Sequence, residues 1–344
     1  MNPAAQYPSR IYRLVSPLYL RCVRLRNALY AKGILKSHTL SVPVISIGNL
    51  TMGGTGKTPM VVHAATLLRD EGLRVAVLSR GYRGAPRARC EVVSAREGPL
   101  LRAKVAGDEP VLLVRNLAHV LVLVSPDRRL AGETAVARFG AQVLILDDGF
   151  QHLKLKRNLD IVLIDVTRPF EMLREPVSGI ARADAVVLTR TNLPHDEGGI
   201  LKRLEPLKAG AKLFHAFMEP VELAAVATGA VHTLESLRGE GCLALSGIGN
   251  PAQFEATLEA AGLRVLKTVR FPDHHWYRRS ELEQVLAEAQ GLKASCIVMT
   301  EKDAVRLDEM KNIPGNFYFL RVRSVVRESQ EFSSMLLAAA KGSR

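Results

Sequence analysis

The stretch Val42-Pro-Val-Ile-Ser-Ile-Gly48-Asn-Leu-Thr51-Met-Gly53-Gly54-Thr55-Gly56-Lys57-Thr58-Pro59 decides how the 344-residue chain is read. An apolar, β-branched run of strand length breaks into a glycine-rich turn. Helical apolar spacing then starts at Val61 and continues to Leu68, with Pro59 near the helix start. The order is strand, phosphate loop, helix. Such a loop turns successive backbone N–H groups toward one point at the positive end of a helix dipole. There Lys57 meets the β/γ-phosphates and the Thr58 hydroxyl is offered to Mg²⁺. The spacing is that of G-x-x-x-x-G-K-[ST], except that Thr51 stands where the first glycine belongs, which leaves Gly53 and Gly54 to supply the backbone freedom. Thr51, Met52, Gly53, Gly54, Thr55, Gly56, Lys57 and Thr58 are therefore expected to hold a purine nucleoside triphosphate with magnesium.

Outward from this loop, composition narrows the classes. With 47% hydrophobic residues the chain has the apolar content for a large core and is not a disordered protein. Cys22, Cys90, Cys242 and Cys296 lie far apart with no C-x-x-C pair. That excludes a zinc ribbon or disulfide framework and fits small buried hydrophobes in a reducing compartment. The net charge of +13 asks for a polyanionic partner, nucleic acid or an anionic membrane. Aromatics are 5% of the chain and are not interleaved with the basic residues, so no nucleic acid is expected.

The charge is concentrated at the N-terminal side, where no Asp or Glu precedes Asp70 and Arg10, Arg13, Arg21, Arg24, Arg26, Lys32 and Lys36 cluster. Residues 10–32 read as one or two basic amphipathic helices, with Ser16-Pro17 as cap and first-turn pair and Gly33 as the stop. Ile11, Leu14, Val15, Leu18, Cys22, Leu25 and Leu29 occupy an arc beside the arginines. This is an interfacial pattern, so residues 10–36 are expected on an anionic membrane surface, where each basic residue contributes about 1 kcal/mol, with an ordinary surface helix packed on its own core as the plain alternative. Arginines interrupt every apolar run short of the ~20 residues that span a bilayer, and no signal-peptide cleavage site follows.

Beyond the loop, near-continuous Val/Ile/Leu runs recur at 74–78, 120–124, 143–146, 161–164, 185–188, 242–245 and 296–299, separated by helical stretches. The expected fold is α/β, a P-loop NTPase-like and mostly parallel sheet flanked by helices. It divides into a basic helix (1–40), a kinase-like core (41–220) and a smaller C-terminal α/β lobe (221–344). Residues 200–240 show no regular pattern.

Ligands of such sheets sit at the carboxyl ends of the strands, and those ends carry the polar motifs. Ser79-Arg80-Gly81-Tyr82 and Ser125-Pro-Asp-Arg128 place Arg80, Tyr82 and Arg128 there, where a solvated loop is the plain alternative. Gly107-Asp108-Glu109-Pro110 puts two carboxylates before a helix, as a cap or as functional groups. Asp147-Asp148-Gly-Phe-Gln-His152 ends a hydrophobic strand as a Walker B element does, and adjacent carboxylates at a buried strand end call for a cation or for donors that neutralise them. Asp273-His274-His275 sets a carboxylate beside two imidazoles, suited to a held general acid/base. Thr300-Glu301-Lys302-Asp303 follows a strand as a base-contacting loop does, or as an ordinary capped helix start.

Taken together, Gly48-Asn-Leu-Thr-Met-Gly-Gly-Thr-Gly-Lys-Thr-Pro59, Ser79-Arg-Gly-Tyr82, Gly107-Asp-Glu-Pro110, Asp147-Asp-Gly-Phe-Gln-His152, Asp273-His274 and Thr300-Glu-Lys-Asp303 closely resemble the tetraacyldisaccharide 4′-kinase family of lipid A biosynthesis. The resemblance runs from about residue 10 to 310. One departure is a shortened segment before Leu173-Arg174-Glu175-Pro176. The resemblance implies transfer of the ATP γ-phosphoryl group to the 4′-hydroxyl of a tetraacyldisaccharide 1-phosphate, giving lipid IVA, by a peripheral enzyme on the cytoplasmic face of the bacterial inner membrane. By resemblance Asp108, relayed through His274, accepts the hydroxyl proton. Glu109, Asp147 and Asp148 with Thr58 order Mg²⁺, Glu301 and Lys302 join the nucleotide site, and Arg80, Tyr82, Arg128, His152 and Glu175 meet the lipid substrate. Two other classes share the loop: a dethiobiotin-synthetase-like ligase, which leaves the basic helix without a role, and a ParA-like switch ATPase, which dimerises with nucleotide.

Overall fold

The structure is a computed structural model describing residues 9–86, 88–205 and 210–342, with side chains from residue 18 onward. Arg10, Ile11, Arg13, Leu14 and Val15 of the expected amphipathic face have side chains outside the described set. The chain divides into two compact units, one of residues 7–218 and 324–344, the other of residues 219–323.

The first unit opens with helix α1 (Ser9–Ala31), a single helix that runs through Ser16-Pro17 rather than starting there. Gly33 ends it as expected, at φ 71° with its N–H on Tyr30 O. There follow β1 (Val44–Asn49), α2 (Lys57–Asp70), β2 (Val75–Ser79), β3 (Glu91–Ala95), α3 (Ala103–Ala106), α4 (Asp108–Asn116), β4 (Leu121–Val124), α5 (Arg128–Phe139), β5 (Val143–Asp147), β6 (Leu159–Asp165), β7 (Ala185–Thr189), α6 (Glu197–Leu204) and β8 (Lys212–Ala225). The sheet order is β8-β7-β6-β1-β5-β2-β4-β3. Each strand pairs in parallel with its neighbour except the edge strand β3, antiparallel to β4.

Strands β1, β2, β4, β5, β6 and β7 are buried at every residue, which is why their sequences are apolar without alternation: both faces are covered by helices. β1 lies between β5 and β6, so the loop it feeds emerges at mid-sheet. Gly48 is required within it, because a Cβ there would stand 2.7 Å from the Cβ of Phe150, whose ring fills the core beneath the loop.

In the second unit come β9 (Val231–Thr233), β10 (Gly241–Ser246), α7 (Pro251–Ala260), β11 (Arg264–Arg270), α8 (Arg279–Gly291), β12 (Cys296–Thr300), α9 (Glu301–Val305) and β13 (Phe317–Val326). Its parallel sheet has the order β11-β10-β12-β13 around a core that includes Leu243, Leu245, Ile297, Met299, Phe317 and Phe319. The chain then re-enters the first unit, where α10 (Ser329–Ala340) buries Phe332 edge-on to Phe214 at 5.2 Å and tilted to His63 of α2 at 5.9 Å. The C-terminal unit thus ends at 323, and α10 belongs with the nucleotide-loop unit rather than with a lobe running to 344. The irregular region 200–240 holds β8, whose residues are half-buried and interrupted by polar groups, so it lacks the signature of a covered strand.

Candidate active site

The phosphate loop joins β1 to α2. Gly53 and Gly56 carry its left-handed backbone, at φ 105° and 85°; Gly54, expected to share that task, does not. Thr51 replaces the first glycine because its backbone is extended there, forming an antiparallel bridge with Leu173. A β-branched residue suits that geometry and a glycine would only loosen it. The loop is tied from inside and from both flanks. Asn49 Nδ2 donates to Thr55 Oγ1 at 2.9 Å, Thr189 Oγ1 donates to Thr55 O at 3.0 Å, and Arg190 Nη2 donates to Gly54 O at 2.7 Å. Arg190 is itself anchored by Asp165. Each fixed carbonyl aims the neighbouring N–H groups, which is the preorganisation an anion site needs.

Lys57 and Thr58 open α2. Lys57 Nζ stands 3.7 Å from Asp148 Oδ1, and Arg174 grips the same carboxylate through Nη1 to Oδ2 at 2.8 Å and Nη2 to Oδ1 at 2.7 Å. Burial alone would raise the Asp148 carboxyl, but Lys57 and Arg174 outweigh it and hold the group well below the usual carboxylate range. Asp148, expected among the magnesium ligands, therefore spends both oxygens on Arg174. Its neighbour Asp147 is buried at the end of β5, accepting from Ser79 Oγ at 3.0 Å. Burial, then the charges of Glu109 and Asp148, push it up to about 7. A carboxylate crowded by carboxylates is a place where a cation is favourable. Among the described residues no three His, Cys, Asp or Glu side chains form a ready metal cage. The donor set still suits Mg²⁺, which takes one or two protein carboxylates and completes its shell with phosphate and water. Asp147, Glu109 and the Thr58 hydroxyl fit that role.

Asp108 and Glu109 begin α4. Gly107 stands at the helix cap with φ 94°, and Asp108, 4% exposed, accepts its neighbour's N–H, Glu109 N to Oδ1 at 3.0 Å. The capping interpretation thus fails: the carboxylate sits one residue inside the cap. A Cβ on Gly107 would lie 2.8 Å from Tyr82 O, so the Arg80-Gly81-Tyr82 turn rests directly on the Gly107-Asp108-Glu109 corner. Two motifs separated by some twenty-five positions meet there. Arg80 and Tyr82 are exposed, whereas Arg128 is 4% exposed and lies within electrostatic range of Asp147, Asp148 and Arg80.

His152 is half-buried, and burial followed by the charge of Arg128 brings its imidazole down to about 4. It is neutral at pH 7 and can make a hydrogen bond but carries no charge. The folded value lies below the unfolded 6.5, so this group costs no stability above that pH and progressively more as pH falls from 6.5 toward 4. We expect the His152 ring signals in proton NMR to titrate well below pH 6, and His152→Gln to flatten the loss of stability across that window. A ring midpoint near 6.5 would contradict the burial. Glu175, expected against substrate, is fully buried with both oxygens taken by Asn27, Arg182 and Gln151.

In the second unit, His274 (φ 63°) has its Nε2 3.3 Å from Lys302 Nζ and 3.8 Å from Asp273 Oδ2. His275 is held by Glu281 at 2.9 Å and stacked on Phe271, so the two imidazoles do different work. Thr300 caps α9 through Asp303 N at 3.1 Å, the ordinary helix start that the sequence allowed. Asp303 is buried and accepts from Tyr277, Arg306 and Gly247 N, which fixes the loop that carries Glu301 and Lys302. Glu301 stands 3.7 Å from Arg321.

Asn49, Arg174, Thr189 and Arg190 were not among the sequence candidates. Arg174 had one signal, its place in Leu173-Arg174-Glu175-Pro176. Arg190 had none beyond following a strand.

A central parallel sheet, a Gly-Lys-Thr loop opening a helix and a carboxylate pair at the neighbouring strand end define a P-loop nucleoside-triphosphate protein, with the polar surroundings of a phosphotransferase. The model of the tetraacyldisaccharide-1-P 4′-kinase family (LpxK) matches residues 9–341, and the chain belongs to that family. A tetraacyldisaccharide 4′-kinase of Syntrophus aciditrophicus is 38% identical over 96% of this chain and 93% of its own length. One of Anaeromyxobacter dehalogenans is 46% identical over 83% and 77%. Among solved structures, that of LpxK from Aquifex aeolicus in complex with ATP superposes with a TM-score of 0.77 at 32% identity, covering 96% of this chain and 99% of that one.

Proposed function

We propose that this chain transfers the γ-phosphoryl group of ATP to the 4′-hydroxyl of a tetraacyldisaccharide 1-phosphate, giving lipid IVA. The observation that carries the reading is the Lys57–Asp148–Arg174 cluster on the rim of a tied phosphate loop, in a chain of this family. Lys57 and the N-terminus of α2 meet the charge of the β/γ-phosphates. Thr58, Asp147 and Glu109 are the groups that would hold magnesium, which supplies charge neutralisation between those phosphates when bound. Asp108 accepts the proton of the attacking hydroxyl. Arg80, Tyr82 and His152 contact the disaccharide headgroup. By family resemblance, Glu301 and Lys302 serve the nucleotide and His274 a proton relay.

Incubation with γ-labelled ATP and the acylated disaccharide phosphate in detergent should move label onto lipid. Label released only as phosphate, with nucleotide-driven dimerisation, would replace this reading with a switch ATPase. Phosphorylation of a small acid in place of the lipid would favour the ligase.

The enzyme is assigned to the cytoplasmic face of the inner membrane as a peripheral protein. No helix among the described residues is long and apolar enough to cross a bilayer. Helix α1 nonetheless exposes Leu18 (65%) and Leu25 (63%), with Cys22, Arg21 and Arg24 also exposed beside them. Seating two leucines in lipid contributes roughly 1.5–3 kcal/mol each. We expect Leu18→Ser/Leu25→Ser to lower co-sedimentation with vesicles containing phosphatidylglycerol by about 100-fold or more in apparent affinity, while activity on detergent-dispersed substrate persists. Unchanged co-sedimentation would end the membrane assignment.

A further inference from the structure

Glu175 lies one residue beyond Arg174 and is fully buried. Its Oε1 accepts from Asn27 Nδ2 at 2.6 Å and from Arg182 Nη1 at 2.5 Å, and its Oε2 accepts from Gln151 Nε2 at 3.2 Å. A Cβ on Gly179 would stand 2.5 Å from Oε1, so the chain has left space for this carboxylate. Asn27 belongs to α1, and its own Oδ1 accepts from Arg26 Nε and Nη2 at 3.3 and 3.1 Å, which turns its amide N–H₂ toward Glu175.

From Glu175 the connection continues into the phosphate loop. Residues 172–174 lie against it as a short antiparallel pair: Arg174 N donates to Leu50 O at 2.7 Å, Met52 N donates to Met172 O at 2.8 Å, and Thr51 bridges Leu173. Gln151 closes the circuit, donating to Asn49 O at 2.9 Å as well as to Glu175. Removing Asn27 leaves the ion pair with Arg182 in place but takes one of three donors from a buried carboxylate, a loss that favours a shift of the segment that carries it. Helix α1 is held on the unit by a narrow stripe in which Val23 is buried and Asn27 and Tyr30 are half-buried, while Leu18, Arg21, Cys22 and Leu25 face outward.

We propose that Asn27 is a positioning residue that couples α1 to the phosphate loop through Glu175, so that a bilayer under α1 steadies residues 172–175 and, through them, the loop and Arg174. Transfer is then fastest where the lipid substrate is presented. The surface part of this coupling rests on the membrane assignment above; the link from Asn27 to the loop does not.

The test uses the full chain and Asn27→Ala, with Asn27→Gln as the conservative variant and Asn27→Ser as a second truncation should alanine fail to fold. Hydrogen exchange is followed in peptides covering 48–53 and 170–176, with and without vesicles of phosphatidylethanolamine and phosphatidylglycerol. In detergent, Asn27→Ala is expected to exchange about tenfold faster in both peptides but not in β4. Its kcat should fall about tenfold while the KM for ATP and vesicle co-sedimentation stay within twofold, and Asn27→Gln should recover most of the loss. Vesicles should slow exchange of the two peptides in the wild type and not in Asn27→Ala. Wild-type exchange and kcat in the truncated variant overturn the coupling, as does equal slowing by vesicles in both proteins. Failure of the wild type to sediment with vesicles removes the membrane assignment instead, and is told apart by the detergent comparison.

Discussion

Asp108→Ala is expected to lower kcat by roughly 10²–10⁴-fold, the range general-base removal typically costs, with the KM for ATP little changed. The carboxylate is buried at the first residue of α4, beside Glu109 and under the Arg80-Gly81-Tyr82 turn, and it accepts a local N–H from Glu109. Alanine therefore removes a local hydrogen bond as well, worth about 1 kcal/mol of stability. Asp108→Asn separates the two losses. It keeps an oxygen for the N–H but has no oxygen basic enough to take the proton, so stability should return and turnover should not. Near-normal kcat in either variant would remove Asp108 from the chemistry.

Lys57→Ala is expected to cost roughly 10²–10³-fold in kcat, as loss of one charged group on a developing phosphoryl charge does, and in addition to weaken ATP binding. The second effect distinguishes it from Asp108→Ala and follows from position, because Lys57 opens α2 with 14% of its side chain exposed, pointing at Asp148. Its removal also strips one of the three cations, with Arg174 and Arg128, that hold the Asp148 carboxyl low. Lys57→Arg should recover little, because a planar fork cannot replace a compact ammonium in a loop closed by backbone. Equilibrium binding of a fluorescent ATP analogue together with single-turnover transfer would read both effects. Wild-type nucleotide affinity in Lys57→Ala would show that the loop does not work as described.

Much of this site was legible because its parts are local. The strand 143–146 announces itself by apolar continuity, so the carboxylates that end it are conspicuous, and the Gly-Lys-Thr run states its own geometry. What escaped the sequence is what acts across the fold. Gly56, not Gly54, takes the left-handed backbone because it caps α2, and only the observed turn reveals that. Arg174 and Arg190 reach the loop from positions more than a hundred residues away. Glu175, a substrate contact by resemblance, is instead buried and satisfied by Asn27, Gln151 and Arg182, partners that no local spacing announces. Strand β8 escaped for a related reason: half of its surface faces away from the core, so its pattern is neither continuous nor alternating.

The return of α10 to the first unit bears on how the protein comes to exist in a cell. Helix α2, which carries Lys57 and Thr58, rests through His63 on Phe332, and that partner is made only after the whole of 219–323 has been translated. Nascent chains therefore lack this support under α2 until α10 has been made, although the ties of the loop to Asn49, Thr189 and Arg190 are already in place.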